Sequence, residues 1–163
     1  WLKNSDNQQE RVMDRFVRVA ILLCTAFFAQ AALADECAVN VEAGDALSFS
    51  TTKIEIPSSC ANAVINFTHT GNLPAAVMGH NWVLAKTSDL QAIQNDGNVA
   101  GAAGGYLKAD DARVIAASGI IGGGESTSVT FATDVLKSGD VYSFFCTVMS
   151  HSVVMKGSIS LKG

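Results

Sequence analysis

Cys146-Thr147-Val148-Met149-Ser150-His151-Ser152-Val153-Val154-Met155 spaces a thiol, an imidazole and a thioether as C-x4-H-x3-M. The segment before it, Val141-Tyr142-Ser143-Phe144-Phe145, is apolar and aromatic, so it reads as a strand that delivers the sulfur to one end of a rigid core. His151 follows at a distance that lets a loop return to the same point. Met155 stands where a last alternating segment begins, Met155-Lys156-Gly157-Ser158-Ile159-Ser160-Leu161. A second imidazole, His80, lies far upstream in Val77-Met78-Gly79-His80-Asn81-Trp82 and would tie the loop to the other side of the fold.

One thiolate, two imidazoles and a weak thioether form the ligand set of electron-transfer copper, a trigonal His2Cys site with a long axial Met. Donors on rigid elements keep their geometry when the metal changes charge, which lowers the cost of switching between copper(I) and copper(II). A Cys/His pair also suits a nucleophilic hydrolase, but no local protease signature surrounds Cys146 and a neighbouring Met has no role in that chemistry. Zinc takes Cys and His, yet a thioether is a poor zinc ligand. A copper-storage or copper-delivery protein is the alternative function. It would favour open sites rich in Met and Cys, and this chain offers a single mixed one.

Outward from this stretch, short period-two segments dominate. Val39-Asn40-Val41-Glu42, Leu47-Ser48-Phe49-Ser50, Ile54-Glu55-Ile56, Val64-Ile65-Asn66-Phe67-Thr68-His69 and Val129-Thr130-Phe131 alternate, with Gly, Asp and Ser turns between them. Trp82-Val83-Leu84 is a short apolar run. The pattern predicts an all-β, Greek-key β-sandwich. One stretch departs from it: Thr87 to Gly105 opens like a capped helix at Ser88-Asp89-Leu90-Gln91-Ala92-Ile93 and passes into a Gly- and Ala-rich flap. It predicts one short external helix. Gly122-Gly123-Gly124 reads as a turn, since it lacks the spacing and the Lys of a phosphate-binding loop.

The chain of 163 residues begins with Trp, and Met13 is the better candidate start. Arg15 and Arg18, an apolar run from Val19 to Phe28, and Ala32-Leu33-Ala34 have the form of a secretory signal peptide with cleavage after Ala34. Residues 1–34 are then the leader and residues 35–163 the mature domain. The apolar run is too short to span a bilayer, so no membrane insertion of the mature chain is expected. Export implies an oxidising compartment. Cys24 leaves with the leader, and three cysteines remain: Cys37, Cys60 and Cys146. One of them must be free, and if Cys37 pairs with Cys60 that one is Cys146. The net charge of −4 and the lack of any basic run argue against nucleic acid or an anionic membrane as partner.

These residues resemble the azurin family of blue-copper proteins, which have the cupredoxin fold. The similarity runs from Asp35-Glu36-Cys37 to the C-terminus. Its most specific pieces are Gly71-Asn72-Leu73-Pro74, Val77-Met78-Gly79-His80-Asn81-Trp82-Val83-Leu84, Tyr106-Leu107-Lys108, Asp110-Asp111, Arg113-Val114-Ile115-Ala116, Phe144-Phe145-Cys146-Thr147, and His151-Ser152 with Met155-Lys156-Gly157. The resemblance implies a periplasmic electron carrier, not an enzyme, with one type 1 copper per chain. His80, Cys146 and His151 would be equatorial ligands, Met155 the axial ligand, and the Gly79 carbonyl a weak contact opposite. Cys37 and Cys60 fall where the family carries its disulfide. Asn81 would link the ligand loops near Thr147 and tune the site from outside. His69 would lie close to the metal without binding it, and Trp82 in the core. Implied partners are redox proteins such as c-type cytochromes or a copper- or haem-containing reductase.

The sequence departs from the family at two loops. Val148-Met149-Ser150 stands where azurins usually carry Phe-Pro-Gly, and His69-Thr70-Gly71-Asn72 where they tend to have His-Pro-Gly-Asn. Losing proline adds a backbone N–H, and losing glycine makes a positive φ costly. The resemblance also places Leu47, Leu73, Val77, Met78, Val148, Met149, Val153 and Val154 around His151. That concentration predicts an exposed apolar docking patch with His151 as the electron port.

Overall fold

The protein is described here from a computed structural model in which residues 36–163 are placed. The expected leader, its start at Met13 and its cleavage after Ala34 lie outside the described residues. Among the described residues, eight strands build two sheets. The first, in order β1-β3-β6, comprises β1 (Ala38–Ala43), β3 (Asn62–His69) and β6 (Ser126–Ala132). The second, in order β2-β8-β7-β4-β5, comprises β2 (Lys53–Pro57), β4 (Val83–Lys86), β5 (Val114–Ala117), β7 (Tyr142–Phe145) and β8 (Lys156–Lys162). Most consecutive strands cross between the sheets, as in a Greek-key sandwich, while β4–β5 and β7–β8 stay within the second sheet. Two pairs are parallel, β1 with β3 and β2 with β8, and the others are antiparallel.

Side-chain alternation decides which face is buried. In β3, Ala63, Ile65, Phe67 and His69 point inward, and Ile54 and Ile56 do so in β2. Between the sheets, the Trp82 indole stacks on Phe144 at 5.8 Å and on Phe131 at 6.4 Å, and Phe49 packs against Phe67 and Phe144. Burying each such ring stabilises the fold by roughly 1.5–3 kcal/mol before entropy. The expected strand at Leu47–Ser50 does not form. Phe49 makes only an isolated bridge to Ala43, and its ring is held by core packing instead.

β7 is buried along its whole length because its second face is also covered. The cover is α2 (Leu90–Ala100), which lies against the five-stranded sheet with Ile93 packed on Val83, Ala85 and Phe145. This is the expected external helix, and it extends into the stretch read as a flap. It opens without the expected cap: Thr87–Asp89 form a 3-10 turn, Asp89 is already helical, and its side chain makes no capping bond. A second helix, α1 (Ala75–Met78), is a single turn begun at Pro74 and was not expected. It ends at Gly79, where a Cβ would meet Ala75 O at 2.3 Å and Ile120 Cγ2 at 2.6 Å. His80 follows directly. The Gly122-Gly123-Gly124 run does turn, with Gly124 at φ 79°, but its first two members also let the backbone pass within touching distance of the 71–75 loop.

Candidate metal centre

Three donors meet at one end of the sandwich. Cys146 leaves β7 and is fully buried. His80 follows α1 and is held by a two-stranded bridge in which its N–H and carbonyl pair with Ile121. His151 comes from the 3-10 turn Val148–Val153 between β7 and β8. Cys146 Sγ lies 3.8 Å from His80 Nδ1 and 3.6 Å from His151 Nδ1, and the two Nδ1 atoms are 3.2 Å apart. A small cation in the plane of three N and S donors, at bond lengths of about 2.0–2.3 Å, holds them about 3.5–3.7 Å apart. The donor set therefore fits a trigonal thiolate–imidazole metal site.

The ring orientation supports the same fit. His80 Nε2 is 2.9 Å from the Gly44 carbonyl, which can only accept, so this nitrogen carries the proton and Nδ1 presents its lone pair to the centre. Burial pushes the His80 imidazole down to about 4, against the effect of its bond to Gly44, and burial also lowers His151. Burial pushes the Cys146 thiol up to about 11, opposed by the backbone N–H groups of Asn81 and Val148 that face its sulfur. Near neutrality the metal-free site thus holds two neutral imidazoles and a protonated thiol, and a metal must displace that one proton.

The loops are fixed to each other around these donors. Asn81 Nδ2 donates to Thr147 Oγ1 at 2.8 Å and Asn81 Oδ1 accepts from Thr147 N at 2.8 Å, both buried. Asp45 accepts from the backbone N–H groups of Asn72 (2.9 Å) and Leu73 (3.1 Å), bonds that hold its carboxyl below the usual range. His69 is fully buried and stacks on His80 with ring centres 5.2 Å apart. Its Nδ1 accepts from Gly71 N and its Nε2 donates to Met78 O, so both nitrogens are occupied. Thr70, where the family tends to have proline, uses its extra N–H on Ala43 O at 2.7 Å. Met155 is fully buried beside the centre, with its N–H on His151 O (2.8 Å) and its carbonyl accepting from Cys146 N (3.1 Å). Gly79 immediately precedes His80, closed in by α1 and Ile120.

The ligand loop adopts a conformation that proline could not. Met149 has φ 43° and Ser150 φ 66°, adjacent left-handed residues without a glycine. Two side chains of α2 reach this turn, and neither was expected. Gln94, buried, donates from Nε2 to Thr147 O at 2.8 Å, and Asn98 donates from Nδ2 to Ser150 Oγ at 3.0 Å. The available signal was Gln94 itself, a polar residue within the apolar stripe Leu90, Ile93, Gly97 of an amphipathic helix.

Of the eight residues expected on an apolar patch, Leu47, Leu73, Val77, Met149, Val153 and Val154 are exposed, and Met78 is half-buried. Val148 is not on the surface. It is only 1% exposed and joins the core cluster, because the chain turns inward before the left-handed pair. His151 is 8% exposed where His80 and Cys146 are sealed, so of the three donors it comes nearest to solvent.

The family model for copper-binding proteins of the plastocyanin/azurin family matches residues 35–162. The chain is 48% identical over 136 residues to the azurin of Bordetella pertussis, covering 83% of this chain and 91% of that protein. It is 48% identical over 130 residues to the azurin of Pseudomonas aeruginosa, covering 80% and 88%. Among solved structures, an azurin (Az-iso2) from Methylomonas sp. strain J superposes with a TM-score of 0.75 at 42% identity, covering 78% of this chain and 98% of that one.

Proposed function

The chain belongs to the plastocyanin/azurin family of copper-binding proteins, and on that premise we propose that it shuttles single electrons between redox proteins of the bacterial periplasm through the site formed by His80, Cys146, His151 and Met155. It is a blue-copper electron carrier and not an enzyme. The observation that carries the assignment is the convergence of one thiol and two imidazole nitrogens within 4.8 Å of one another, all three residues buried. Copper, when bound, supplies the one-electron couple.

The residues contribute rigidity and dryness. The His80 bond to Gly44 and the double Asn81–Thr147 bond hold two loops in one geometry, so little rearrangement accompanies a change of metal charge. The buried Met155 would add a weak thioether donor, and the Gly79 carbonyl a further weak contact, to the three strong donors. Electrons would pass through His151, with partners such as c-type cytochromes or a copper- or haem-containing reductase docking on the exposed Leu47, Leu73, Val77, Met149, Val153 and Val154. Periplasmic location rests on the signal-like residues 1–34 and on the family. Copper storage or delivery is the weaker reading, because a single enclosed site offers no ready route for exchange.

The test is titration of the metal-free protein with copper(II). One equivalent should give an intense blue sulfur-to-copper band, and Cys146→Ser should abolish it while leaving the far-ultraviolet circular dichroism unchanged. A pale or colourless complex would exclude the type 1 site.

A further inference from the structure

Gln94 and Asn98 lie one turn apart on α2 and form a short polar chain aimed at the ligand loop. Gln94 Nε2 is 3.1 Å from Asn98 Oδ1 as well as 2.8 Å from Thr147 O. Because a backbone carbonyl can only accept, the orientation of the Gln94 amide is settled: its NH2 faces the loop. Its other end has no partner, since Gln94 Oε1 is buried and unpaired. An unpartnered buried carbonyl is a standing cost that an apolar side chain of the same shape would not carry. Packing of α2 on the sheet is already secured by Ile93 and Leu90 and does not require an amide at this position.

The acceptor that Gln94 touches is informative. Thr147 O and Val148 N belong to the same peptide unit, and the Val148 N–H is one of the two backbone donors that offset burial at the Cys146 thiol. A hydrogen bond to the oxygen of a peptide polarises it and strengthens its N–H as a donor. Gln94 is thus joined to the thiolate through a single peptide plane. Asn98 grips the far side of the same turn at Ser150 Oγ, across the left-handed pair Met149-Ser150, a conformation unfavourable for two residues with side chains.

We propose that Gln94 and Asn98 are positioning residues that hold the ligand loop across its left-handed turn, and that Gln94, acting through the Thr147–Val148 peptide, strengthens the hydrogen bond to the Cys146 sulfur and so raises the reduction potential of the centre. The inference rests on the electron-transfer reading for its effect on potential, but not for its effect on the peptide. Negative charge on the sulfur favours the oxidised metal, so a stronger N–H donor to that sulfur favours the reduced one. α2 thereby becomes part of the site, although none of its side chains reaches a donor atom.

The test compares wild type with Gln94→Met, which keeps length and packing but removes the donor, and with Asn98→Ala, an exposed change that leaves the core intact. The Val148 amide is followed by NMR in the metal-free and copper(I) proteins, and the potential is measured voltammetrically. In Gln94→Met the Val148 proton should move upfield and exchange several-fold faster, and the potential should fall. Asn98→Ala should shift both in the same direction by less, because it frees one end of the Gln94 amide. An unchanged Val148 amide and an unchanged potential, whatever happens to the melting temperature, would reduce Gln94 to a packing residue and overturn the proposal. Should Gln94→Met fail to fold, Asn98→Ala decides on the same two readings. A protein that binds no copper would overturn the electron-transfer reading alone, and the metal-free Val148 amide would still decide the role of Gln94.

Discussion

Asn81 and Thr147 bind each other twice, amide to hydroxyl and backbone N–H to amide oxygen, each at 2.8 Å and each out of reach of water. Their neighbours His80 and Cys146 are donors to the same centre, so this pair fixes the distance between two loops that are far apart in sequence. Asn81→Leu removes both bonds and leaves the Thr147 N–H and hydroxyl unsatisfied. It should destabilise the protein by about 3 kcal/mol, read from the midpoint of chemical denaturation, and copper loss to a chelator should accelerate. Thr147→Val removes one bond and should have roughly half that effect.

Met155 should tune the centre without being needed to capture metal. Its thioether is a weak, long donor, and the thiolate and imidazoles provide most of the binding. Met155→Leu is close to volume-conserving at a fully buried position. The blue band should persist and the potential should rise, because a soft donor and its dipole leave a drier site. Loss of the band or a lower potential in voltammetry would count against the axial role.

Cys37 and Cys60 are joined in a disulfide, and Cys146 is the free cysteine among the described residues. The bridge ties the start of β1 to the turn before β3, whereas the donors gather beyond the other end of these strands. The eight residues of β3 separate the two by about 25 Å at roughly 3.3 Å per residue. A loop spanning 23 residues of sequence should lose about 3 kcal/mol on removal of the bridge. The Cys37→Ala/Cys60→Ala double variant should therefore melt lower but keep its copper spectrum and potential. Alkylation of the unreduced protein of residues 35–163 should label one cysteine only, and slowly, until it is unfolded.

Metal-free protein should be most stable between about pH 6.5 and pH 9, the ordinary values of imidazole and thiol. His80 is lowered in the fold to about 4. Between pH 6.5 and about pH 4 the unfolded chain binds more protons, so stability falls as pH drops through that window. Cys146 is raised to about 11. Above pH 9 the unfolded chain loses its thiol proton first, so stability falls again as pH climbs towards 11. Thermal melts of metal-free protein across pH 4–10 check both slopes, and Cys146→Ser should flatten the alkaline one alone.

The exposed apolar residues around His151 supply the test of docking. Val153→Lys or Val154→Lys places a charge on the patch without touching a donor. Electron self-exchange between identical molecules should slow sharply, with the copper spectrum unchanged and with partial recovery at high salt, where the repulsion is screened. Exchange at the wild-type rate would place the port elsewhere.

The donor cluster was legible in the sequence because its chemistry depends on residue type and spacing, which a single chain displays directly. The sandwich was legible through alternation in segments such as Val64–His69. Strand pairing was not: alternation states which side faces inward but not which neighbour a strand takes, so the parallel pairs β1–β3 and β2–β8 left no mark. Ser88-Asp89 resembles a helix cap, but the 3-10 turn there takes Asp89 into helical geometry, where its side chain cannot reach back to cap. Val148 reads as exposed from its neighbours Met149, Val153 and Val154, which are. One residue later the backbone enters the left-handed region, a reversal that no pattern of hydrophobicity encodes. Gln94 and Asn98 escaped because their targets are a carbonyl and a hydroxyl some fifty residues away.

β8 occupies an interior place in its sheet, hydrogen-bonded on one side to β7 and on the other to β2, so that Lys53 is opposite Ser158. That pairing joins segments about a hundred residues apart, the kind of long-range closure that makes folding slow. A chain emerging from its N-terminus therefore spends an interval with β2 unpaired, an open strand edge, and with His80 formed but Cys146 and His151 still unplaced. Seating β8 covers one side of β2, which stays the outer strand of its sheet, and the same closure anchors Met155 at the end of the loop that carries Cys146 and His151.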